Sequence, residues 1–235
     1  MLFLIINMNK NKDRWNTINH SFKQLQSNLK NKLNINYIQV PGIDGRRMTN
    51  NRQVRQILFP NPTLMGHQFI CKEFNQHWIY DGSIEKSFPG LNLKGHYGTK
   101  GLTLSNLKAF DIILKKYSFY KWYIILEDDA IINKDSINKI NQTILQIDPT
   151  IQIIVIDNRG KGGTAGIIYH KDVIWKVIKH MHPLSKFSIE NESKISGKTN
   201  LWDWKLWTFL DYFNIKYQVI PILKNGQFSS TINLK

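Results

Sequence analysis

The chain has almost no cysteine and no long apolar segment, and each absence narrows what it can be. Its single cysteine, Cys71, cannot form an internal disulfide, which favours a reducing compartment. No run reaches the roughly 18 apolar residues that a membrane-spanning helix needs. The apolar residues 2–6 follow no basic region and precede no small-residue cleavage site, so we expect a first strand rather than a signal peptide. These observations predict a cytoplasmic protein without a transmembrane segment.

Acidic residues are also scarce, with 17 Asp and Glu against 32 Lys and Arg, so the formal net charge is +15. Residues 1–60 alone contain ten Lys or Arg and only two acidic residues, a formal excess of eight. Such a surface attracts polyanions, whether nucleic acid, an anionic membrane surface or a phosphate-bearing substrate. The sequence has neither zinc-finger spacing nor an aromatic ribonucleoprotein signature. We therefore expect no specific nucleic-acid partner, favour a solvated basic face, and leave peripheral membrane association open.

The size and apolar content suit one domain. With 235 residues, of which 42% are hydrophobic, the chain is expected to form a single domain, 1–235, with a substantial core. Residues 41–100 show no clean periodicity and contain four of the seven prolines, so this segment is predicted to be loop-rich. The polar stretch 185–200 is predicted to be a second, mobile loop.

Elsewhere, hydrophobic periodicity predicts strands that alternate with helices. Apolar runs predict strands at residues 2–7, 35–40, 151–156, 167–169 and 217–223, and another that ends at Glu127. Apolar residues three or four apart predict helical faces at Trp15, Ile18, Phe22, Leu25 and Leu29; at Leu107, Phe110, Leu114 and Tyr117; at Ile137, Ile140, Ile144 and Ile147; at Ile174, Val177, Ile178 and Met181; and a helix over 202–213. This alternation predicts an α/β fold with a largely parallel sheet.

The most informative segment, residues 121–133, is an apolar run that ends abruptly in Glu127, Asp128 and Asp129. Three adjacent anions repel one another and hold bound water, so burying them costs free energy that a cation can offset. A hard divalent ion that also binds phosphate oxygens meets this need, and ligands of open α/β sheets bind outside the carboxyl ends of strands. The alternative is that the carboxylates cap the next helix, although that helix is predicted to begin near Asp135.

Two other patterns resemble binding motifs but lack the required context. Residues 160–165 fit a loose GxGxxA pattern, but a dinucleotide fingerprint must open a helix, whereas residues 167–169 are predicted to form a strand. A flexible loop near a ligand is the better interpretation. His180 and His182 lie at a predicted helix end with no third metal-ligating residue nearby in sequence, so we do not expect them to bind a metal.

One acidic residue near the end of the chain lies among tryptophans. Asp203 is flanked by Trp202 and Trp204, with Trp207 following. Such low-dielectric surroundings can raise the pKa of a carboxyl group, which suits a general base. The alternative is that Asp203 is the N-cap of the predicted helix 202–213, and one residue can perform both roles.

Several of these segments, taken in order, resemble glycosyltransferase family 25, which includes lipopolysaccharide and collagen galactosyltransferases. The resemblance covers nearly the whole chain, and its most specific part is LEDDA at residues 126–130. The other matches are Ile5-Ile6-Asn7 with Lys12-Asp13-Arg14-Trp15, Gly42-Ile43-Asp44-Gly45, the glycine-flanked serine motif 98–108 with Ser105, residues 164–169, and Asp203-Trp204.

The resemblance implies a GT-A fold, a Rossmann-like α/β sandwich, and transfer of a hexose from UDP-galactose or UDP-glucose to a glycan or protein hydroxyl with inversion. A divalent ion, Mn2+ or Mg2+, on Glu127 and Asp129 would neutralise the diphosphate leaving group. A carboxylate, here Asp203, would deprotonate the acceptor hydroxyl. The residues expected to bind the nucleotide sugar are Asn7, Asp13, Arg14, Asp44, Ser105 and Asp128.

The chain departs from the family pattern at two places. Thr99-Lys100 stands where the family has Glu, and Ser105-Asn106 stands where it has Ser-His. These departures suggest an alternative, a GT-A-like protein that binds polyanionic or glycan partners without turnover. A glycoside hydrolase is a further alternative, but adjacent acids on one strand end match poorly with two carboxylates that flank a glycosidic bond.

Overall fold

The computed structural model describes residues 1–29, 35–43, 97–160, 163–181, 187 and 202–225. Most of the predicted loop-rich segment 41–100 lies outside the described residues, as does nearly all of the predicted loop 185–200. Asp44, Cys71 and His182 also lie outside them.

Strands and helices alternate along the described chain. In order they are β1 (Leu2–Asn7), α1 (Lys12–Leu29), β2 (Asn36–Pro41), α2 (Tyr97–Lys116), β3 (Trp122–Glu127), β4 (Ala130–Ile131), α3 (Lys134–Gln146), β5 (Ile153–Asp157), β6 (Gly166–His170), α4 (Lys171–Met181), α5 (Trp202–Tyr212) and β7 (Tyr217–Asn225). Every strand and helix predicted from periodicity is present, although α2 begins at Tyr97, ten residues before its predicted face and inside the predicted loop-rich segment 41–100. The two-residue strand β4 is too short to have produced a periodic signal.

The strands form one sheet in the order β2-β1-β3-β6-β5-β7-β4. Parallel pairs join β1 to β2, β1 to β3, and β5 to β7, whereas β6 is antiparallel to both of its neighbours, β3 and β5. The short β4 is antiparallel to β7. The predicted α/β class with a mostly parallel central sheet is confirmed. The reversal of β6 follows from the short connection 158–165, because a parallel crossover needs a dozen or more residues.

The core lies around the central strands. All six residues of β1 and all five of β5 are buried, as expected for strands covered on both faces. The predicted face of α1 is confirmed at Ile18, Phe22 and Leu25, which pack into this core. The Phe22 ring makes an edge contact with Phe3 at 5.2 Å between centroids and stacks on Tyr37 at 4.7 Å. Ile137 and Ile140 supply the corresponding buried face of α3.

The chain divides into two compact units. The first falls within residues 1–42, 119–173 and 210–229 and contains every described strand. The second falls within 43–118, 174–209 and 230–235, and its aromatic contacts include Phe110 with Trp202 at 5.9 Å and Phe187 with Phe209 at 5.8 Å between ring centroids. The single-domain organisation stays a prediction. Within the described part of the chain, no helix combines the length and apolarity needed to cross a membrane.

Candidate functional site at the carboxyl edge of the sheet

Polar residues end three strands of the first unit that run in the same direction. Strand β1 ends at Asn7, β3 at Glu127 and β5 at Asp157, and each follows a run of buried apolar residues. Because these strands share a direction, their carboxyl ends meet at one edge of the sheet, where ligands of α/β folds bind. The site is therefore built from strand ends and from the loops that follow them.

Asp128 is surrounded by hydrogen-bond donors. Its Oδ2 accepts from Asn7 Nδ2 at 2.7 Å and from Asn11 Nδ2 at 3.2 Å, while its Oδ1 accepts from Arg14 Nη1 at 3.1 Å. The side chains of Arg14 and Asp128 are 15% and 11% exposed, so this ion pair is mostly screened from water. Asp128 therefore serves as the internal counter-ion that fixes Arg14 at the sheet edge.

Asn7 joins the ends of β1 and β2. Its Oδ1 accepts from Gln39 Nε2 at 3.0 Å, and its carbonyl accepts from the Gly42 N–H at 2.7 Å. A Cβ atom added at Gly42 would lie 3.1 Å from the backbone nitrogen of Met8, so the glycine allows this close approach. Asn7, at 1% exposed, is thus a buried link that holds Asp128 rather than a group open to solvent.

Glu127 is held by the segment before β6. Its carboxylate oxygen Oε1 accepts from Thr164 Oγ1 at 2.7 Å, and its backbone N–H donates to the Ala165 carbonyl at 3.0 Å. Burial, followed by the charge of Asp129, raises the pKa of Glu127 to about 7, although the Thr164 hydrogen bond and the charge of Arg159 act in the opposite direction. Near neutral pH, Glu127 is therefore about half protonated, because nearby donors and cations compensate its negative charge only in part.

The negative charge of Asp129 is less well compensated by nearby donors than the charges of its neighbours Glu127 and Asp128. Its Oδ1 is buried and accepts no hydrogen bond from any described residue. Burial, followed by the charge of Asp128, raises the pKa of its carboxyl group. A buried carboxylate oxygen without a donor destabilises the fold, and a bound cation would remove this penalty.

The alternative that these carboxylates cap the next helix is wrong. Helix α3 begins at Lys134, and its N-cap is Asn133, whose Oδ1 accepts from the Ser136 N–H at 2.9 Å. Asn133 has the extended backbone typical of an N-cap, with φ −136 and ψ −179. With this cap supplied locally, Glu127, Asp128 and Asp129 are not needed at the helix start.

The residues fit a divalent ion that is shared with a phosphate ligand. Among the described residues, no group of three or more His, Cys, Asp or Glu is arranged to enclose a metal ion. Mg2+ in phosphate-binding sites is commonly held by one or two carboxylates, with phosphate oxygens and water completing its coordination. Glu127, whose pKa is raised, and Asp129, whose Oδ1 accepts no hydrogen bond from the described residues, match that donor set.

Asp157 and Arg159 form a second ion pair at this edge, which the sequence analysis missed. The Asp157 Oδ1 accepts from the Arg159 backbone N–H at 2.8 Å and from Nε at 3.1 Å, and Oδ2 accepts from Nη2 at 2.8 Å and from the Ala165 N–H at 2.7 Å. Asp157 is completely buried. Burial alone would raise its pKa, but these hydrogen bonds outweigh burial and lower it. The available signal was the run IQIIVI at 151–156, which also ends in a carboxylate.

The structure places the other predicted site residues separately. Asp13 is exposed at the start of α1, unlike its neighbour Arg14. Ser105 is buried in the second unit, where its Oγ accepts from the Ile43 N–H at 2.8 Å. Asp44 lies outside the described residues. Asp203 is the second residue of α5, which begins at Trp202, so the alternative that it is the N-cap of this helix is wrong; its side chain is outside the description.

One prediction about the apparent motifs is confirmed. Residues 160–165 lead into the strand β6 and not into a helix, so they are not a dinucleotide fingerprint. His180 lies in the last turn of α4, at a helix end as expected. The expectation that His180 and His182 bind no metal stays a prediction.

The comparisons with known proteins find similar solved structures only. No family model matches the chain, and no curated protein matches it in sequence. One similar structure is a glycosyltransferase involved in the glycosylation of the major capsid of PBCV-1, with 15% identity and a TM-score of 0.46 over 94% of this chain and 80% of that chain. Another is mouse xyloside xylosyltransferase 1 in its apo form, with 10% identity and a TM-score of 0.45 over 93% of this chain and 84% of that chain. Likeness at this level carries no inference about the reaction, and membership of family 25 stays a prediction.

Proposed function

We propose that this chain is a GT-A glycosyltransferase, of the kind found in family 25, that moves a hexose from a nucleotide sugar to a hydroxyl of a glycan or protein. UDP-galactose or UDP-glucose is the proposed donor, and the transfer is inverting and dependent on a divalent metal ion. The observation that carries the proposal is the Oδ1 of Asp129, which is buried beside Glu127 at the carboxyl edge of the sheet and has no hydrogen-bond partner among the described residues. A carboxylate in that position is destabilising without a ligand, and a metal–diphosphate complex supplies the missing partner.

The proposed roles follow from the charge on each side chain. Glu127 and Asp129 would hold Mn2+ or Mg2+, which stabilises the negative charge of a diphosphate leaving group as a Lewis acid. Asp128 already has donors from Asn7, Asn11 and Arg14, so its role is to orient Arg14 toward the nucleotide rather than to bind the metal.

The acceptor needs a base, because an inverting transfer removes the hydroxyl proton as the new bond forms. With Glu127 and Asp129 assigned to the metal, Asp203 is the proposed base on the strength of its position between two tryptophans. Asp44 is the second candidate. The base is therefore proposed from sequence, whereas the donor side is proposed from the geometry of the sheet edge.

The test measures nucleotide-sugar binding with and without Mn2+, by thermal shift and by titration calorimetry. The parent protein should be stabilised by UDP-galactose or UDP-glucose only when Mn2+ is present, since a ligand of the native state raises its melting temperature. Asp129→Asn should weaken this metal-dependent affinity by about 100-fold, at the upper end of the usual effect of disturbing a metal site. Asp211→Asn removes an exposed carboxylate at the end of α5 and serves as the matched control.

Equal Mn2+-dependent affinity in the parent and in Asp129→Asn would contradict the metal assignment. Binding of a nucleotide sugar without transfer of its hexose to any acceptor, and so without release of UDP, would instead favour the inactive binding protein. One observation favours the inactive binding protein. Asn106, at the position where family 25 has His, is buried and donates to the Leu102 carbonyl of its own helix at 3.0 Å.

A further inference from the structure

We propose that Arg159, held in place by the buried carboxylate of Asp157, binds the phosphate groups of the donor beside Glu127 and Asp129. Neither residue belongs to the acidic motif, and both lie at the end of β5 rather than β3. The inference rests on the proposed function for the identity of the ligand as a nucleotide diphosphate. The anion site itself is tested without any sugar transfer.

The side chain of Arg159 is fixed on one side and open on the other. Nε and Nη2 form a fork on the Asp157 carboxylate at 3.1 and 2.8 Å, which sets the plane of the guanidinium. Nη1 donates to no described residue, and the Arg159 side chain is 49% exposed although Asp157 is completely buried. Arg159 thus presents unused N–H donors in a fixed orientation, which is the arrangement that recognises phosphate oxygens.

Two residues tie this cation to the acidic motif. The Ala165 N–H donates to Asp157 Oδ2 at 2.7 Å, and the Ala165 carbonyl accepts from the Glu127 N–H at 3.0 Å. The neighbouring Thr164 donates its hydroxyl hydrogen to Glu127 Oε1 at 2.7 Å. The ends of β3 and β5 are therefore held together by one short segment, and the charge of Arg159 acts on both Glu127 and Asp129.

The balance of charges at this edge of the sheet favours a phosphate contact from Arg159. Asp128 is paired with Arg14 and Asp157 with Arg159, so among the described acidic residues of this edge Glu127 and Asp129 form no ion pair. A divalent ion that balances those two charges, even while it binds phosphate oxygens, leaves the net charge of the diphosphate to be met by other groups. The open N–H groups of Arg159 supply the additional favourable contact that a diphosphate needs.

Gly163 preserves the space that this arrangement requires. A Cβ atom added there would lie 2.5 Å from Arg159 Nε and would also overlap the Asp157 carboxylate. Any side chain at position 163 would consequently displace the guanidinium from its fork. The glycine gives a way to disturb the position of Arg159 without removing its charge.

The experiment measures the affinity for inorganic pyrophosphate by titration calorimetry, once with excess Mg2+ and once with EDTA. Arg159→Gln should weaken binding by about 10-fold or more in both conditions, the scale of one charge-assisted hydrogen bond. Lys139→Gln, which removes one exposed charge from α3, is the matched control for the general attraction of a basic protein to anions. Its affinity should stay within about twofold of the parent.

Arg159→Lys guards against a folding defect, because it keeps the charge beside Asp157 but loses the fork. The pyrophosphate affinity of Arg159→Lys should lie between those of the parent and Arg159→Gln. Gly163→Ala should bind pyrophosphate about as tightly as Arg159→Lys. Equal pyrophosphate affinities for Arg159→Gln and Lys139→Gln would overturn the inference even if UDP-sugars bind and are consumed. Dependence on Arg159 in a protein that binds no nucleotide sugar would support the anion site and defeat the proposed function.

Discussion

Two strands of the same sheet end in carboxylates whose pKa values shift in opposite directions. At the end of β3, Glu127 and Asp129 have raised pKa values, and one Asp129 oxygen has no donor among the described residues. At the end of β5, Asp157 is more deeply buried, yet its pKa is lowered because Arg159 and Ala165 donate to both of its oxygens. Burial is common to the two strand ends, so compensation by nearby donors decides the difference.

The comparison separates a structural carboxylate from a ligand-binding one. Asp157 has its counter-ion within the chain two residues away, and it organises the loop before β6. Among the described residues, Glu127 and Asp129 form no such ion pair, so the fold carries an electrostatic penalty that a ligand can relieve. Strained or poorly compensated groups of this kind are concentrated at functional sites.

The largest expected effect is the loss of stability when the compensated carboxylate of Asp157 is replaced. Asp157→Asn should lower the free energy of unfolding by about 3 kcal/mol, because an amide NH2 would face the donors that now meet Oδ2, Arg159 Nη2 and the Ala165 N–H. Urea denaturation would measure the loss, with Asp211→Asn as the exposed control. A loss below about 0.5 kcal/mol, the usual range for surface changes, would remove the distinction between the two strand ends.

The second prediction tests whether the general base lies outside both strand ends. Asp203→Asn should retain donor affinity but slow hexose transfer by about 100-fold or more, the usual scale for removing a general base. Asn preserves the shape of Asp but cannot accept the proton. Transfer assays with matched donor-binding measurements would check this, and near-normal turnover in a folded variant would move the base to Asp44 or elsewhere.

The third prediction concerns pH and the β3 end. The folded-state pKa of Glu127, about 7, lies above its ordinary value of 4.5, so the folded protein holds more protons than the unfolded chain between these values. Stability should therefore fall as pH rises from about 4.5 to 7 in EDTA. Glu127→Gln should flatten this slope and add about 1 to 2 kcal/mol near pH 7, a fraction of what the shift implies.

The contribution of Asp157 has the opposite sign. Its pKa is lowered below 3.8 in the folded state, so the stability it provides is present above pH 3.8 and is lost as pH falls through the lowered value. Denaturation profiles from pH 3 to 8 would separate the two. A Glu127→Gln profile parallel to that of the parent between pH 4.5 and 7 would show that the Glu127 charge is already compensated.

The smallest expected effect tests the separation of the acidic motif from the helix that follows it. Asn133→Ala should lower the free energy of unfolding by about 1 kcal/mol, because the Ser136 N–H loses its acceptor at the start of α3. Asp129→Asn should not lower stability, since it removes an uncompensated charge. If Asp129→Asn were the more damaging of the two in EDTA, Asp129 would have a capping or other structural role.

Much of the fold could be predicted from the periodicity of single segments. The buried face of α1 and the fully buried β1 and β5 follow from apolar spacing, because a helix and a strand impose different repeats on the residues they bury. The direction of β6 did not follow, since its apolar residues fit a parallel or an antiparallel neighbour equally well. The short connection 158–165 and the hydrogen-bonded register with β3 and β5 decided it.

The sequence by itself determined that three carboxylates end a buried strand, because charge and hydrophobicity are properties of each residue. It also placed Asn7 and Arg14 at the exit of the first strand. Only the tertiary structure decided which carboxylate received a partner, since Asp128 meets Arg14 across more than 100 positions of sequence. Compensation of a charge depends on the distance to its partner in space. For that reason only the folded chain shows that Oδ1 of Asp129 has no donor among the described residues.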